Sequence, residues 1–239
     1  MQQQQSNQFN TILGASLGVL FAIHTVLCFI VPKGNEVLWA NGNFSSFQDT
    51  FFSLVSMSGS TTVFVAVVGA LAFVRFNYFI VAGMVFILNS MLVLFLKRVA
   101  FPDMQRPVAQ MDNSLLHFVE GVDVQTLYSF PSGHTATAFA MAITLSLLIK
   151  HRGLSVLLIT LAVLVGYSRI YLLQHFLIDV TAGAFVGIIT SFTVYYMSPV
   201  NLVHRFYKFI KGQLQHALPP FITESRRVKR WEQRVLSEG

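Results

Sequence analysis

Acidic side chains are scarce in this chain: ten Asp and Glu stand in 239 residues, against sixteen Lys and Arg. Charged residues of both signs make up only 11%, where a soluble domain carries about a quarter. That excludes an ordinary soluble enzyme with a solvated surface. Cysteine is nearly absent as well. The single Cys28 has no internal disulfide partner, and no cysteine–histidine spacing of the zinc-binding kind occurs. The opening "MQQQQSNQFN" lacks a basic side chain, and the apolar block after it lacks a small-residue cleavage site. A retained first helix is therefore expected rather than a removed signal peptide.

What the chain has instead is apolar mass: 54% hydrophobic residues, 23 of them phenylalanine, gathered into long blocks. A run of about 18 or more apolar residues reads as a membrane-spanning helix. Six such spans are expected, at roughly 11–32, 50–74, 76–96, 134–150, 154–173 and 177–197. The expected fold is all-α, an integral membrane bundle of about six helices in one domain, 1–200, with a long polar insert at about 97–133 and a basic tail, 201–239. From Pro199 onward stand eight of the sixteen Lys and Arg against three glutamates. With six spans both termini share one side, together with the Arg75 and Lys150/Arg152 turns and the tail, eleven basic residues in all. Five lie opposite: Lys33, Lys97, Arg98, Arg106 and Arg169. The positive-inside rule then puts the termini in the cytoplasm and the insert on the exoplasmic side.

Three polar clusters fall on that outer face: "LKRVAFPDMQRP", "SFPSGHTATAFA" and "SRIYLLQHFLID". Charged groups so deep in apolar sequence must be solvated, paired or neutralised, which marks them as candidates for function. Their chemistry suits phosphoryl transfer. Converging lysine and arginine match a phosphate dianion, arginine by planar bidentate donation and lysine as a point charge. The Ser132 hydroxyl and backbone N–H groups near Gly133 open a helix whose N-terminus favours anions. His134 and His175 supply an acid and a nucleophile. Asp179, four residues after His175 and one turn on in a helix, can orient that imidazole.

On these residues the chain resembles the type 2 phosphatidic acid phosphatase superfamily, the lipid phosphatases related to vanadium haloperoxidases. The family pattern is Lys, six residues, Arg-Pro; then Pro-Ser-Gly-His; then Ser-Arg, five residues, His, three residues, Asp. The second part stands here as Pro131-Ser132-Gly133-His134, and the third as Ser168-Arg169, His175 and Asp179 in full spacing. The first departs from it, with eight residues between Lys97 and Arg106. Either the connection loops out around Pro102, or Arg98 takes part of the lysine's role.

The resemblance implies an enzyme of the bacterial inner membrane, multi-pass, with its site on the periplasmic side. It implies attack by His175 on phosphorus to give a phosphohistidine, orientation by Asp179, and proton transfer by His134. Lys97, Arg106, Arg169, Ser132 and the Gly133 backbone would bind phosphoryl oxygens. Substrate classes implied are undecaprenyl diphosphate, phosphatidate, phosphatidylglycerophosphate and lipid A. The bilayer and a lipid phosphate are the expected partners, with no nucleic acid, no cofactor and no metal. A lipid-to-lipid phosphotransferase and a non-catalytic lipid-binding protein are the alternatives.

Other polar residues have plainer readings. His24 reads as a hydrogen-bonded packing residue, Asp49 as an N-cap or interfacial residue, and "HFVEGVD" (117–123) as a solvated loop. The tail's "RRVKRWEQR" reads as a solvated or lipid-held segment.

Overall fold

Several helix starts carry their own sequence signal. In the computed structural model, which describes residues 2–198, helix α1 (Gln2–Ile30) is followed by the short α2 (Asn35–Gly42). Ser45 caps α3 (Ser46–Ser58) by accepting the Gln48 N–H, and Ser60 caps α4 (Thr61–Val74) by accepting that of Val63. One extended residue, Arg75, separates α4 from α5 (Phe76–Phe95), the tight hairpin that the sequence suggested. A π-helical turn, Leu96–Ala100, closes α5. The insert holds only α6 (Pro107–Gln110) and a 3-10 turn, Asn113–Leu115. Ser132 caps α7 (Gly133–Ile149), and the His151 ring caps α8 (Arg152–Tyr171). Helix α9 (Leu177–Met197) ends the described part. The expected basic tail lies outside the described residues.

Among the described residues four helices are long and apolar enough to cross a membrane. The expected second span is broken into α3 and α4, bent by 49°. The break falls at Gly59-Ser60. A Cβ on Gly59 would lie 2.5 Å from Val165 Cγ1 and 2.9 Å from the His134 carbonyl oxygen, so only glycine allows this approach to α7 and α8. Helix α7, the expected fourth span, has 17 residues, about 25 Å at the usual rise. It is shorter than the hydrocarbon core, yet it is buried nearly all round and has little lipid to match. All six expected segments are thus helical, within a multi-pass membrane protein.

Helix α7 forms the axis, against which α4, α5, α8 and α9 pack. Ile143, Leu147, Val165 and Leu17 join α7 to α8 and α1, while Phe64, Val85 and Ala140 join it to α4 and α5. Between helices in lipid the hydrophobic effect supplies little drive, and close approach of small residues supplies more. A Cβ on Gly183 would sit 2.4 Å from the Ser132 carbonyl oxygen, and one on Gly187 would sit 2.5 Å from that of Ala136. This small-residue face lets the two helices that carry the second and third clusters lie backbone to backbone. Outward-facing positions hold aliphatic side chains and rings, with Phe73 and Phe29 almost fully exposed.

On the face that carries the three clusters the connections are fastened by buried polar bonds. Asn41, at the end of α2, donates to the carbonyls of His117 and Tyr171 and accepts the His117 N–H. Asp49 is not the α3 cap, because Ser45 holds that place. It accepts from the Tyr171 hydroxyl and lies 3.0 Å from His117 Nε2. His117 also stacks on Phe44, with ring centroids 3.8 Å apart. The segment 117–123 is therefore no free loop. Val119 and Val122 pack against Phe52, Tyr171 and Leu172. His24 does behave as expected, bonding its own helix through Nδ1 to the Leu20 carbonyl at 2.9 Å.

Candidate active site

The third cluster turns between the two expected spans, 154–173 and 177–197, so His175 and Asp179 do not share one helix. Helix α8 ends in a Schellman motif: the Leu173 N–H reaches the Ile170 carbonyl at 3.1 Å, and the Gln174 N–H reaches that of Arg169 at 2.9 Å. Leu173 occupies the left-handed position of that motif, φ 58°, where glycine is usual. His175 thus sits in the turn between α8 and α9, not inside a helix. Asp179 is the third residue of α9, and its carboxylate accepts the Phe176 N–H at 2.9 Å. The two groups meet because a turn and a helix start are adjacent: His175 Nδ1 lies 3.6 Å from Asp179 Oδ2.

A serine that sequence reasoning passed over stands between them. Ser129 Oγ donates to Asp179 Oδ2 at 2.5 Å and lies 3.4 Å from His175 Nδ1. It stands two residues ahead of Pro131 in "SFPSGH", a place that nothing in the spacing marks. With Nδ1 facing Asp179 and Ser129, Nε2 is the imidazole nitrogen left to react.

Ser132 is fully buried, and its oxygen accepts from the Thr135 N–H and hydroxyl. The hydroxyl keeps its own proton to donate. Its backbone N–H donates to the Asp179 carbonyl at 2.9 Å, joining the second cluster to the third. Gly133 and His134 follow as the first two residues of α7, the half-buried His134 at a helix start.

Three cations converge here. Lys97 rises from the π-helical turn, donates to the Tyr128 carbonyl at 2.6 Å, and has its Cε 3.8 Å from where a Gly133 Cβ would be. Arg98 turns away and lies over the Tyr128 ring, 3.9 Å from its centroid. Of the two readings for the longer first motif, this geometry favours Lys97, the extra length being taken up by the π turn and the bend at 101–105. Arg106 is buried and held by Leu127, Gln174 and Gln125. Arg169 is buried too; Nη1 donates to Ser56 of α3, and Nε has no hydrogen-bond partner. An unpartnered buried guanidinium nitrogen fits an anionic ligand.

Burial, and then the positive charges of Arg106, Lys97 and Arg169, hold the His175 imidazole well below its ordinary value. It is neutral at physiological pH and keeps a lone pair. The same three cations bear on His134. Among the described residues no three His, Cys, Asp or Glu side chains group to hold a metal ion. All eight residues singled out in the sequence come to this one membrane face, around a neutral histidine and three cations.

The chain matches the model of the PAP2 superfamily over residues 78–202, just over half its length. It is 35% identical over 91 residues to the undecaprenyl-diphosphatase BcrC of Bacillus subtilis, covering 36% of this chain and 46% of that one. To a lipid A 4'-phosphatase of Bacteroides thetaiotaomicron it is 35% identical over 71 residues, covering 30% and 32%. These matches span less than half of either relative's length. Among solved structures, Aquifex aeolicus LpxE aligns with TM-score 0.60 at 28% identity, covering 66% of this chain and 92% of that one. A PAP2-type phosphatidylglycerolphosphate phosphatase from Bacillus subtilis aligns with TM-score 0.54 at 20% identity, covering 76% and 93%, a likeness of fold.

Proposed function

Since the chain belongs to the PAP2 superfamily, we propose that it is a membrane phosphatase that hydrolyses a lipid phosphate or diphosphate through a phosphohistidine on His175. The observation that carries this reading is the neutral, buried His175 ringed by Lys97, Arg106 and Arg169, with Asp179 and Ser129 behind its Nδ1.

His175 Nε2 attacks phosphorus as the bond to the leaving oxygen breaks. His134, protonated once the phosphoryl charge offsets the neighbouring cations, gives that oxygen its proton. The attacking imidazole becomes cationic, and Asp179 offsets the new charge. Water, deprotonated by His134, then attacks phosphorus, and the N–P bond breaks to release phosphate and neutral His175. Lys97, Arg106, Arg169, the Ser132 hydroxyl and the Gly133 backbone bind the phosphoryl oxygens, where transition-state charge accumulates. These fixed cations take the part that Mg²⁺ takes in other phosphoryl-transfer sites, so the reaction runs without metal.

The relatives named above suggest polyprenyl diphosphates and phosphorylated glycolipids as the first substrates to try. A substrate whose tails stay in the bilayer presents its headgroup to this face. The termini lie in the cytoplasm and the site faces outward. The test is phosphate release by detergent-purified protein against a panel of lipid phosphates and diphosphates, with chelator present. We expect release by the wild type that survives chelator and is lost in His175→Ala. Equal release by that variant sinks the phosphohistidine; labelled phosphoryl appearing on a second lipid instead of in water reassigns the enzyme as a phosphotransferase.

A further inference from the structure

Arg106 is gripped on three sides, and every group that grips it is neutral. Its Nε donates to the Leu127 carbonyl at 3.0 Å, Nη1 to Gln174 Oε1 at 2.6 Å, and Nη2 to Gln125 Oε1 at 3.1 Å. A guanidinium has five N–H groups. These bonds leave one on each terminal nitrogen, the pair that contacts two oxygens of one phosphoryl group. Among the described residues no carboxylate lies within ion-pair distance of Arg106. The side chain is fixed, yet its charge is not cancelled.

Gln174 is the buried member of the grip, 3% exposed, while Gln125 is at the surface. Its own orientation is locked. Its Nε2 donates to the Asp123 carbonyl at 2.9 Å, which turns Oε1 toward Arg106. Its backbone N–H closes the Schellman motif on Arg169, one residue before His175. One residue therefore ties a phosphate-binding arginine from the insert to the turn that carries the nucleophile.

We propose that Gln174 is a positioning residue, a neutral and orientation-locked acceptor that sets the Arg106 guanidinium against the phosphoryl group and leaves its charge for the substrate. This rests on the phosphoryl-transfer reading of the site. A glutamate here would form a charge-assisted pair with Arg106 and turn a second oxygen against the Asp123 carbonyl. A leucine or methionine would fill the space and leave Nη1 without its acceptor.

The test is a double-mutant cycle on the full chain in detergent, with Gln174→Met, Gln174→Glu, Arg106→Ala and the Gln174→Met/Arg106→Ala pair. Steady-state kinetics are read beside the unfolding midpoint with and without orthovanadate. Gln174→Met is expected to lower kcat/KM about ten- to a hundredfold, mainly through KM, and to weaken orthovanadate by a similar factor. In the Arg106→Ala background the same change should cost less than about twofold. Gln174→Glu, which keeps an acceptor, should be impaired as well, because it cancels charge. It also serves if Gln174→Met does not fold. Equal losses in both backgrounds, or wild-type binding in Gln174→Glu, overturn the proposal. If wild type stabilised by orthovanadate turns over no lipid, the phosphatase reading fails, and this proposal is judged on the orthovanadate shifts. If wild type shows no orthovanadate shift and no turnover, both fail.

Discussion

His175 sets the pH behaviour of the molecule. Its folded value lies well below the 6.5 of a free imidazole, chiefly through burial and then through the three cations. His175, the proposed nucleophile, therefore stays neutral as pH falls through 6.5, and the acid limb of kcat/KM should lie below that pH. Arg106→Gln removes one cation and should move the limb upward, though only in part, because burial is the larger cause. Linkage has the matching sign. Below 6.5 the unfolded chain takes up a proton that folded His175 refuses, so this residue lowers stability as pH drops and has no effect above. Urea unfolding at two pH values, compared with His175→Gln, would show it. Ser129→Ala leaves Asp179 with the Phe176 N–H alone and lets the imidazole turn. About tenfold is expected from kcat with little change in KM, read from the same assay. The histidines, the aspartate and the cations were legible because their spacing is a pattern along the chain. Ser129 and Gln174 were not, since a serine or glutamine gains meaning only from the partner the fold brings to it.

At the scale of the element, α7 and α9 place the chemistry. They lie so close that Ser132 donates its N–H to the Asp179 carbonyl. Gly183→Leu puts a side chain against the Ser132 carbonyl and should push the helices apart. A loss of about 1–3 kcal/mol is expected from such overpacking, measured as a lower unfolding midpoint in detergent, with activity falling further than stability. The helices themselves were readable from apolar block length. The bend between α3 and α4 was not, because Gly59 and Ser60 break a block that stays apolar on both sides. The gap between the expected spans 154–173 and 177–197 marked the place of the turn holding His175, but not its form. Its Schellman motif has leucine where a glycine would have announced it, and Leu173 is kept there by burial among Val37, Phe176 and Val180.

Among the described residues the three polar clusters collect at one face of the bundle. Cys28 is its single cysteine, which makes topology simple to test. In a Cys28→Ala background, Asp103→Cys in the insert should react with an impermeant thiol reagent in intact cells, and Arg152→Cys in the α7–α8 turn should react only after lysis. The reverse pattern inverts the proposed orientation. Basic-residue bias made this sidedness arguable from sequence. How the insert is held over the face was not legible, because the Asn41, Asp49 and His117 contacts span 68 to 130 positions.

Those spans translate into waiting time. Asn41 is made early in synthesis, while its acceptor on Tyr171 emerges 130 residues later. At ribosomal speed that is on the order of ten seconds, during which the α2 end has no partner there. The clasp closes only after α8 has been threaded, by when both histidine-bearing segments are nearly complete. The face that carries the site is consequently the last part to mature, and an interrupted nascent chain would carry its cations into the membrane without the histidine they surround.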